Sequence, residues 1–296
     1  MHPTRVRSIL VATDLSDDSD LIVRTADRLA EHQRADLHLL NAMDLDSPRD
    51  TDQASDITFN SRIESCKRAL AEQIGRTVPR AVEVGSQEVM IYAPEKAIVE
   101  RAATVSADLL VLGPHRRRAI GDAFVGSTAD HVIRHAQAPC LVLRGELPVP
   151  VRRVAVPVDL AETTAVTLDA ALAWTDALGR DGAAPELRVL HVVPYPGPTQ
   201  EDLDRAEGEA RRRMRAAIAD AAQRASGIES VDVREEVLWE SVPADAIMDY
   251  AEREKPDLLV LGTHGRGGFG RAFIGSVASS IVRAARCSVL LVPPDR

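Results

Sequence analysis

The apolar positions of this chain follow two periods in alternation. Short unbroken apolar runs, SILVAT (Ser8–Thr13), DLHLLNA (Asp36–Ala42) and DLLVLG (Asp108–Gly113), have the length and the Val, Leu and Ile content of buried strands. Between the first two, DSDLIVRTADRLAEHQ (Asp18–Gln33) sets Leu21, Ile22, Thr25, Leu29 and Ala30 on one side of a helix. Helical spacing returns in SRIESCKRALAEQIG (Ser61–Gly75), APEKAIVERAATV (Ala93–Val105) and GSTADHVIRHAQ (Gly126–Gln137). Two further strands are predicted, RAVEV (Arg80–Val84) and APCLVLR (Ala138–Arg144). The order is βαβαβαβαβ. Apolar strands separated by helices predict a parallel sheet covered on both faces, wound right-handed.

The pattern then repeats. Asp108–Arg134 aligns without a gap on Asp257–Arg283, 149 residues on, and RSILVATDLSDDS (Arg7–Ser19) resembles RRVAVPVDLAETT (Arg152–Thr164). The second set of strands reads RVAVPVD, ELRVLHVV, VDVREEVL, DLLVLG and CSVLLVP. The chain is expected to be α/β, with two tandem domains at 1–146 and 151–296. Each is a five-stranded parallel sheet with helices on both faces. RGELPVPVRR (Arg144–Arg153), with two prolines, is the expected short, stiff join.

Composition narrows the classes. With 45% apolar residues but only 3% aromatic, the cores must be built from Leu, Val, Ile and Ala. A net charge of −9 and few stacking rings argue against a general nucleic-acid binder. Three cysteines without a C-x-x-C pair indicate neither a disulfide framework nor a zinc site. The N-terminal apolar run is too short for a signal peptide, and no run of about 18 apolar residues suggests a membrane span. A cytoplasmic, reducing location is expected. His131 and His135 have metal-pair spacing, but the second copy has Ser280 and Ala284 there, and no third ligand is evident. No protein metal site is assigned. His115 and His264 recur at matching positions, but no neighbour is placed to orient either imidazole, so no catalytic residue is assigned.

In open parallel sheets, ligands bind beyond the carboxyl ends of the strands, where strand order reverses. In the second copy that rule selects Asp159, after VPV, and the glycine-rich stretch from Gly262. A carboxylate repels phosphate but accepts hydrogen bonds from ribose hydroxyls or a base. A glycine-rich loop running into a helix offers bare N–H groups and the positive end of a helix dipole. The stretch LGTHGRGGFGRAFIGS (Leu261–Ser276) contains a literal G-x-G-x-x-G at Gly265, Gly267 and Gly270. A dinucleotide fingerprint would follow the first strand and meet an acidic residue about 20 positions on. Here it follows the fourth strand, and no carboxylate lies between Phe269 and Val292. NAD is therefore not expected, and the common P-loop is absent as well.

A longer spacing fits better. Gly262, Gly265, Gly275 and Ser276 form G-x-x-G-x9-G-S between a strand and a helix. Together with VPVD, this resembles the ATP-binding type of universal stress protein, over essentially the whole chain and once per copy, as in tandem members of that family. The resemblance implies Rossmann-like (adenine nucleotide alpha hydrolase-like) domains and a cytoplasmic, ATP-binding sensor or regulator of the stress response. It implies Pro157 and Asp159 at the nucleoside and the Val192 backbone beside adenine. Gly262, His264, Gly265, Gly275, Ser276 and Val277 would hold ribose and phosphates, with Mg2+ or Mn2+ arriving on the ATP. The first copy keeps Asp14, Gly113, Gly126 and Ser127 but has Arg116 in place of Gly265 and Pro114 in place of Thr263. Arg116 brings a side chain to the phosphate position and Pro114 removes an N–H donor, so a degenerate site is expected there. The run Arg116–Arg118 keeps another anion open as its ligand. Tandem members pair their units like a homodimer through an edge strand, with PCLVLR and CSVLLVP the candidates here. The expected partners are an adenine nucleotide, a second copy or intramolecular pseudo-dimer, and an unidentified protein, but no nucleic acid or membrane. Two alternatives stay open. One is a slow ATPase or phosphoryl transfer onto Ser276 or Thr263; the other is a ligand-free scaffold.

Overall fold

A computed structural model describes residues 6–44, 59–78, 84–113, 126–161, 163–195, 197, 199–225, 230–263 and 274–293. It divides into two compact units, each with five strands and four helices among the described residues. The first carries β1 (Ser8–Thr13), α1 (Asp17–Gln33), β2 (Asp36–Met43), α2 (Phe59–Thr77), β3 (Val84–Ile91), α3 (Pro94–Thr104), β4 (Leu109–Leu112), α4 (Ser127–His135) and β5 (Cys140–Val142). The second carries β6 (Arg153–Pro157), α5 (Thr164–Gly179), β7 (Glu186–Val193), α6 (Gln200–Arg224), β8 (Asp232–Trp239), α7 (Pro243–Glu254), β9 (Leu258–Gly262), α8 (Ser276–Ala284) and β10 (Ser288–Val292).

Every strand pair within a unit is parallel. In the first, β1 lies between β2 and β4, with β3 outside β2 and β5 outside β4. In the second, β6 takes the same place between β7 and β9, with β8 and β10 outermost. The chain runs one way across each sheet for its first three strands and the other way for its last two. Right-handed crossovers then put the first two helices on one face and the last two on the other. The helix contacts agree: α1 packs on α2 and α3 on α4, and likewise α5 on α6 and α7 on α8.

The central strands are buried because their side chains are apolar on both faces. Ile9, Leu10, Val11, Leu109, Leu110 and Val111 have no exposed surface, nor do Ala155, Val156, Leu258, Leu259 and Val260. Each fully buried Val, Leu or Ile contributes roughly 1.5–3 kcal/mol, so aliphatic strands suffice without aromatic rings. The aspartate opening each DLLVLG run anchors the sheet. Asp108 Oδ2 accepts from the Arg7 and Ser8 N–H groups at 2.7 and 3.1 Å. Asp257 Oδ2 accepts from Arg152 and Arg153 at 2.9 and 2.8 Å. Each carboxylate ties the start of the fourth strand to the start of the first.

The third strand of the first unit is described over Val84–Ile91, and residues 80–83 of the predicted Arg80–Val84 strand lie outside the described residues. It is a half-exposed outer strand of its unit carrying Gly85, Ser86, Gln87 and Glu88, and its register with β2 shifts between Leu37 and His38. Polar outer strands carry little of the apolar signal from which strands are read.

Candidate functional site

β6 and β9 are neighbours whose helical connections leave in opposite directions, so the crevice at their carboxyl ends is the switch point of the second unit. Seven of the nine predicted residues are described, and they lie along the carboxyl edge of this unit. Pro157 ends β6, opposite Leu190 of β7. Val158 continues the pairing: its N–H donates to Leu190 O at 2.8 Å, and its carbonyl accepts from His191 Nδ1 at 2.8 Å. Asp159 follows, its Oδ1 accepting from the Ala161 N–H at 3.0 Å and from Thr164 Oγ1 at 3.2 Å. The intervening Leu160 has φ 53°, a left-handed conformation that L residues rarely adopt. Leu15 after Asp14 has φ 62°. A left-handed residue after the aspartate, with the N–H two residues on donating to its carboxylate, is thus shared by both units.

Gly262 ends β9. A Cβ there would lie 2.7 Å from Thr167 Oγ1 on α5, so the strand end and helix approach too closely for any side chain. Gly113 occupies the same position against Ile22 of α1, where a Cβ would meet Cγ1 at 3.3 Å. The glycine at the end of the fourth strand therefore has a packing cause in both units. Beyond it, Thr263 is 5% exposed, and its N–H and Oγ1 both donate to Val292 O, at 3.1 and 3.3 Å. Its carbonyl accepts from the Gly275 N–H at 3.0 Å. The chain thus comes back at Gly275 to the point from which it left.

Gly275 is the N-cap of α8, with extended backbone (φ −54°, ψ 148°) and no side-chain cap. The first-turn N–H groups of Ser276 and Val277 have no intrahelical acceptor by helix geometry, and the turn contains no acidic residue. This end of α8 can donate to an anion. Val192 lies on β7, beyond the Pro157–Leu190 pair. His264 and Gly265 lie outside the described residues.

The first unit repeats the frame with different chemistry. Asp14 Oδ1 accepts from the Ser16 N–H at 3.0 Å and from the Ser16 hydroxyl. Gly126 caps α4 and Ser127 opens it, but the first turn of α4 contains Asp130, held by Arg134 at 2.8 Å. An acid at this helix end offsets the positive dipole that an anion needs. The second unit has Ser279 at that position. Arg116 lies outside the described residues.

Sequence reasoning missed a buried polar network behind Asp14. Thr13 Oγ1 hydrogen-bonds Ser19 Oγ and Gln73 Oε1, both at 2.8 Å. Gln73 Nε2 donates to Asp20 Oδ1 at 2.8 Å, and Arg76 bonds Asp20 through Nε and a terminal nitrogen at 2.7 and 2.9 Å. Arg76 holds the Asp20 carboxyl below the usual carboxylate range, with Gln73 adding to the effect against burial. The network joins β1, α1 and α2 across more than 50 residues of chain, so no local spacing signals it. The second unit has Val158, Thr164 and Ala165 where the first has Thr13, Ser19 and Asp20.

The fold has counterparts in known proteins. The universal stress protein family matches twice, over residues 5–144 and 150–293. A universal stress protein of Mycolicibacterium smegmatis is 27% identical, over 97% of each chain. Among solved structures, a universal stress protein of Archaeoglobus fulgidus superposes with a TM-score of 0.61 over 99% of this chain and 98% of its own, at 17% identity. A structure from the same organism, titled as a universal stress protein in complex with dAMP, covers 48% of this chain and 98% of its own, with a TM-score of 0.35 and 21% identity. The chain belongs to the universal stress protein family, with two copies of the family's domain in tandem.

Proposed function

We propose that the second unit binds ATP and that the protein is a cytoplasmic, nucleotide-dependent regulator of the stress response. The reading rests on one observation above the rest. The Gly275–Thr263 hydrogen bond brings the open end of α8 back to the tip of β9, beside the strand that delivers Asp159. A carboxylate for ribose or base and bare N–H groups for phosphate then flank one crevice, with the two chemistries separated as a nucleotide requires. Gly265 gives the loop room for phosphate oxygens, and Pro157 and the Val192 backbone border the nucleoside. Mg2+ or Mn2+ accompanies the triphosphate, bound by its oxygens. The first unit keeps the frame but is degenerate, with Arg116 replacing Gly265 and Asp130 at its helix end. ATP acts by binding one state better than another, biasing association between copies or docking of a protein partner.

The test is co-purification. Freshly purified protein, denatured and cleared, releases ATP into the supernatant, identified by chromatography. A Gly265→Arg variant, which copies the first unit, releases none. Equal release from both proteins would remove the loop from the site.

A further inference from the structure

The carboxyl edge of the second unit carries a pair of rings that neither the fold nor the residues named above require. β6 stops at Pro157, paired with Leu190, while β7 continues to Val193 and β8 keeps pace to Trp239. Three further residues of strand project about 10 Å past the end of β6. The root of this overhang is fixed by the His191–Val158 hydrogen bond, and Val192 lies on it. Just beyond, Tyr195 stacks on Trp239 with centroids 5.9 Å apart and planes 25° from parallel. Tyr195 is nevertheless 65% exposed, the most exposed large apolar side chain among the described residues, in a chain with only three tyrosines and two tryptophans.

Among the described residues, the first unit has no such pair. Ile91, opposite Met43, stands where the second unit has Trp239 opposite Val193. Tyr92, the next residue, stacks on no ring among the described residues. The aromatic pair accompanies the copy with the complete glycine motif, and the same strands form their edge without it in the other copy.

We infer that Tyr195, backed by Trp239, is the stacking wall for the purine base of the nucleotide, an inference that rests on the ATP reading of the second unit. A ligand whose ribose meets Asp159 extends its base over the end of β6, toward the overhang. There the exposed ring offers a flat, apolar face to an aromatic heterocycle. Trp239 stacks on Tyr195, which stays 65% exposed. Polyphosphate, which has no base, gains nothing from this wall.

The experiment is calorimetry on the full chain with two probes, ATP and inorganic tripolyphosphate, alongside tryptophan fluorescence. Tyr195→Ala is expected to weaken ATP binding by about 5- to 100-fold, the span of base–aromatic stacking losses. Tyr195→Phe keeps the ring and should stay within about twofold, and tripolyphosphate should bind the wild type and all variants alike. ATP should quench the fluorescence of the wild type, and Trp239→Phe should abolish that quenching, whereas tripolyphosphate should leave emission unchanged. Wild-type affinity for ATP in Tyr195→Ala, or equal losses for ATP and tripolyphosphate, overturns the inference and leaves the ATP reading standing. A wild type that binds no adenine nucleotide overturns both.

Discussion

Asp27 points inward from α1 at 3% exposure, where the second unit has Leu172, and its Oδ1 has no hydrogen-bond partner. It lines a recess of about 290 Å³ with Leu21, Arg24, Thr25, Arg28, Thr77 and Glu146. Arg28 pairs with Glu146 at 3.0 Å, and Arg24 lies 3.9 Å from Asp20. Burial, with the nearby Glu31 charge, pushes the Asp27 carboxyl up to about 6. The native state therefore binds this proton more tightly than the unfolded chain, where the carboxyl titrates near 3.9. Stability from this group is fully present below about pH 4 and is lost as the pH rises to about 6. The ionised, unpaired carboxylate then costs roughly 3 kcal/mol at pH 7. Asp27→Asn should flatten that decline, equalling the wild type near pH 4 and exceeding it by a few kcal/mol at pH 7.5 in urea unfolding. An unchanged difference between variant and wild type across that range would show that Asp27 has a partner in solution. None of this is legible in sequence, because Asp27 sits among the apolar positions of α1 like any misplaced polar residue. Leu15 and Leu160 are equally silent: leucine carries no local cue for a left-handed turn, and only the fold around the aspartate imposes one.

At the scale of elements, α4 and α8 start from matching Gly-Ser pairs and differ in their first turns. Asp130 sits in one and Ser279 in the other. If α8 serves as the anion-binding end, Ser279→Asp should weaken ATP about threefold or more, with the loss shrinking as salt rises. The same change favours the helix itself, since an acid suits its N-terminal turn. A loss of affinity therefore could not be ascribed to unfolding of α8. Unaltered affinity in calorimetry would place the phosphates away from this helix. The strands and helices themselves were largely readable. SILVAT and ELRVLHVV match β1 and β7 end to end, the first as a buried apolar run and the second through its alternating Leu187, Val189 and the apolar residues that follow. The continuation of the third strand of the first unit to Ile91 was not read, because VGSQEVMI is polar and half-exposed. The placement of the candidate residues was legible where they stand at a strand end, as for Asp159 and Gly262. It was not legible where the cause is a contact distant in sequence, as between Gly262 and Thr167 or Thr13 and Gln73.

For the whole molecule, duplication explains the frame that the two units share. Asp108 and Asp257, Leu15 and Leu160, and Gly113 and Gly262 keep the same structural roles in both units. Differences at the carboxyl edges include Asp130 for Ser279 and Ile91 for Trp239, and in sequence Arg116 stands for Gly265. On the proposed reading, each of these favours a nucleotide in the second unit over the first, by room, charge or stacking. No helix among the described residues is long and apolar enough to cross a membrane. The central claim is that one copy of two binds ATP, and a stoichiometry tests it most directly. Protein stripped of nucleotide and titrated with ATP in a calorimeter should bind one equivalent per chain, undiminished in Asp14→Ala and lost in Gly265→Arg. Two equivalents per chain, or a single equivalent lost in Asp14→Ala and kept in Gly265→Arg, would contradict the account.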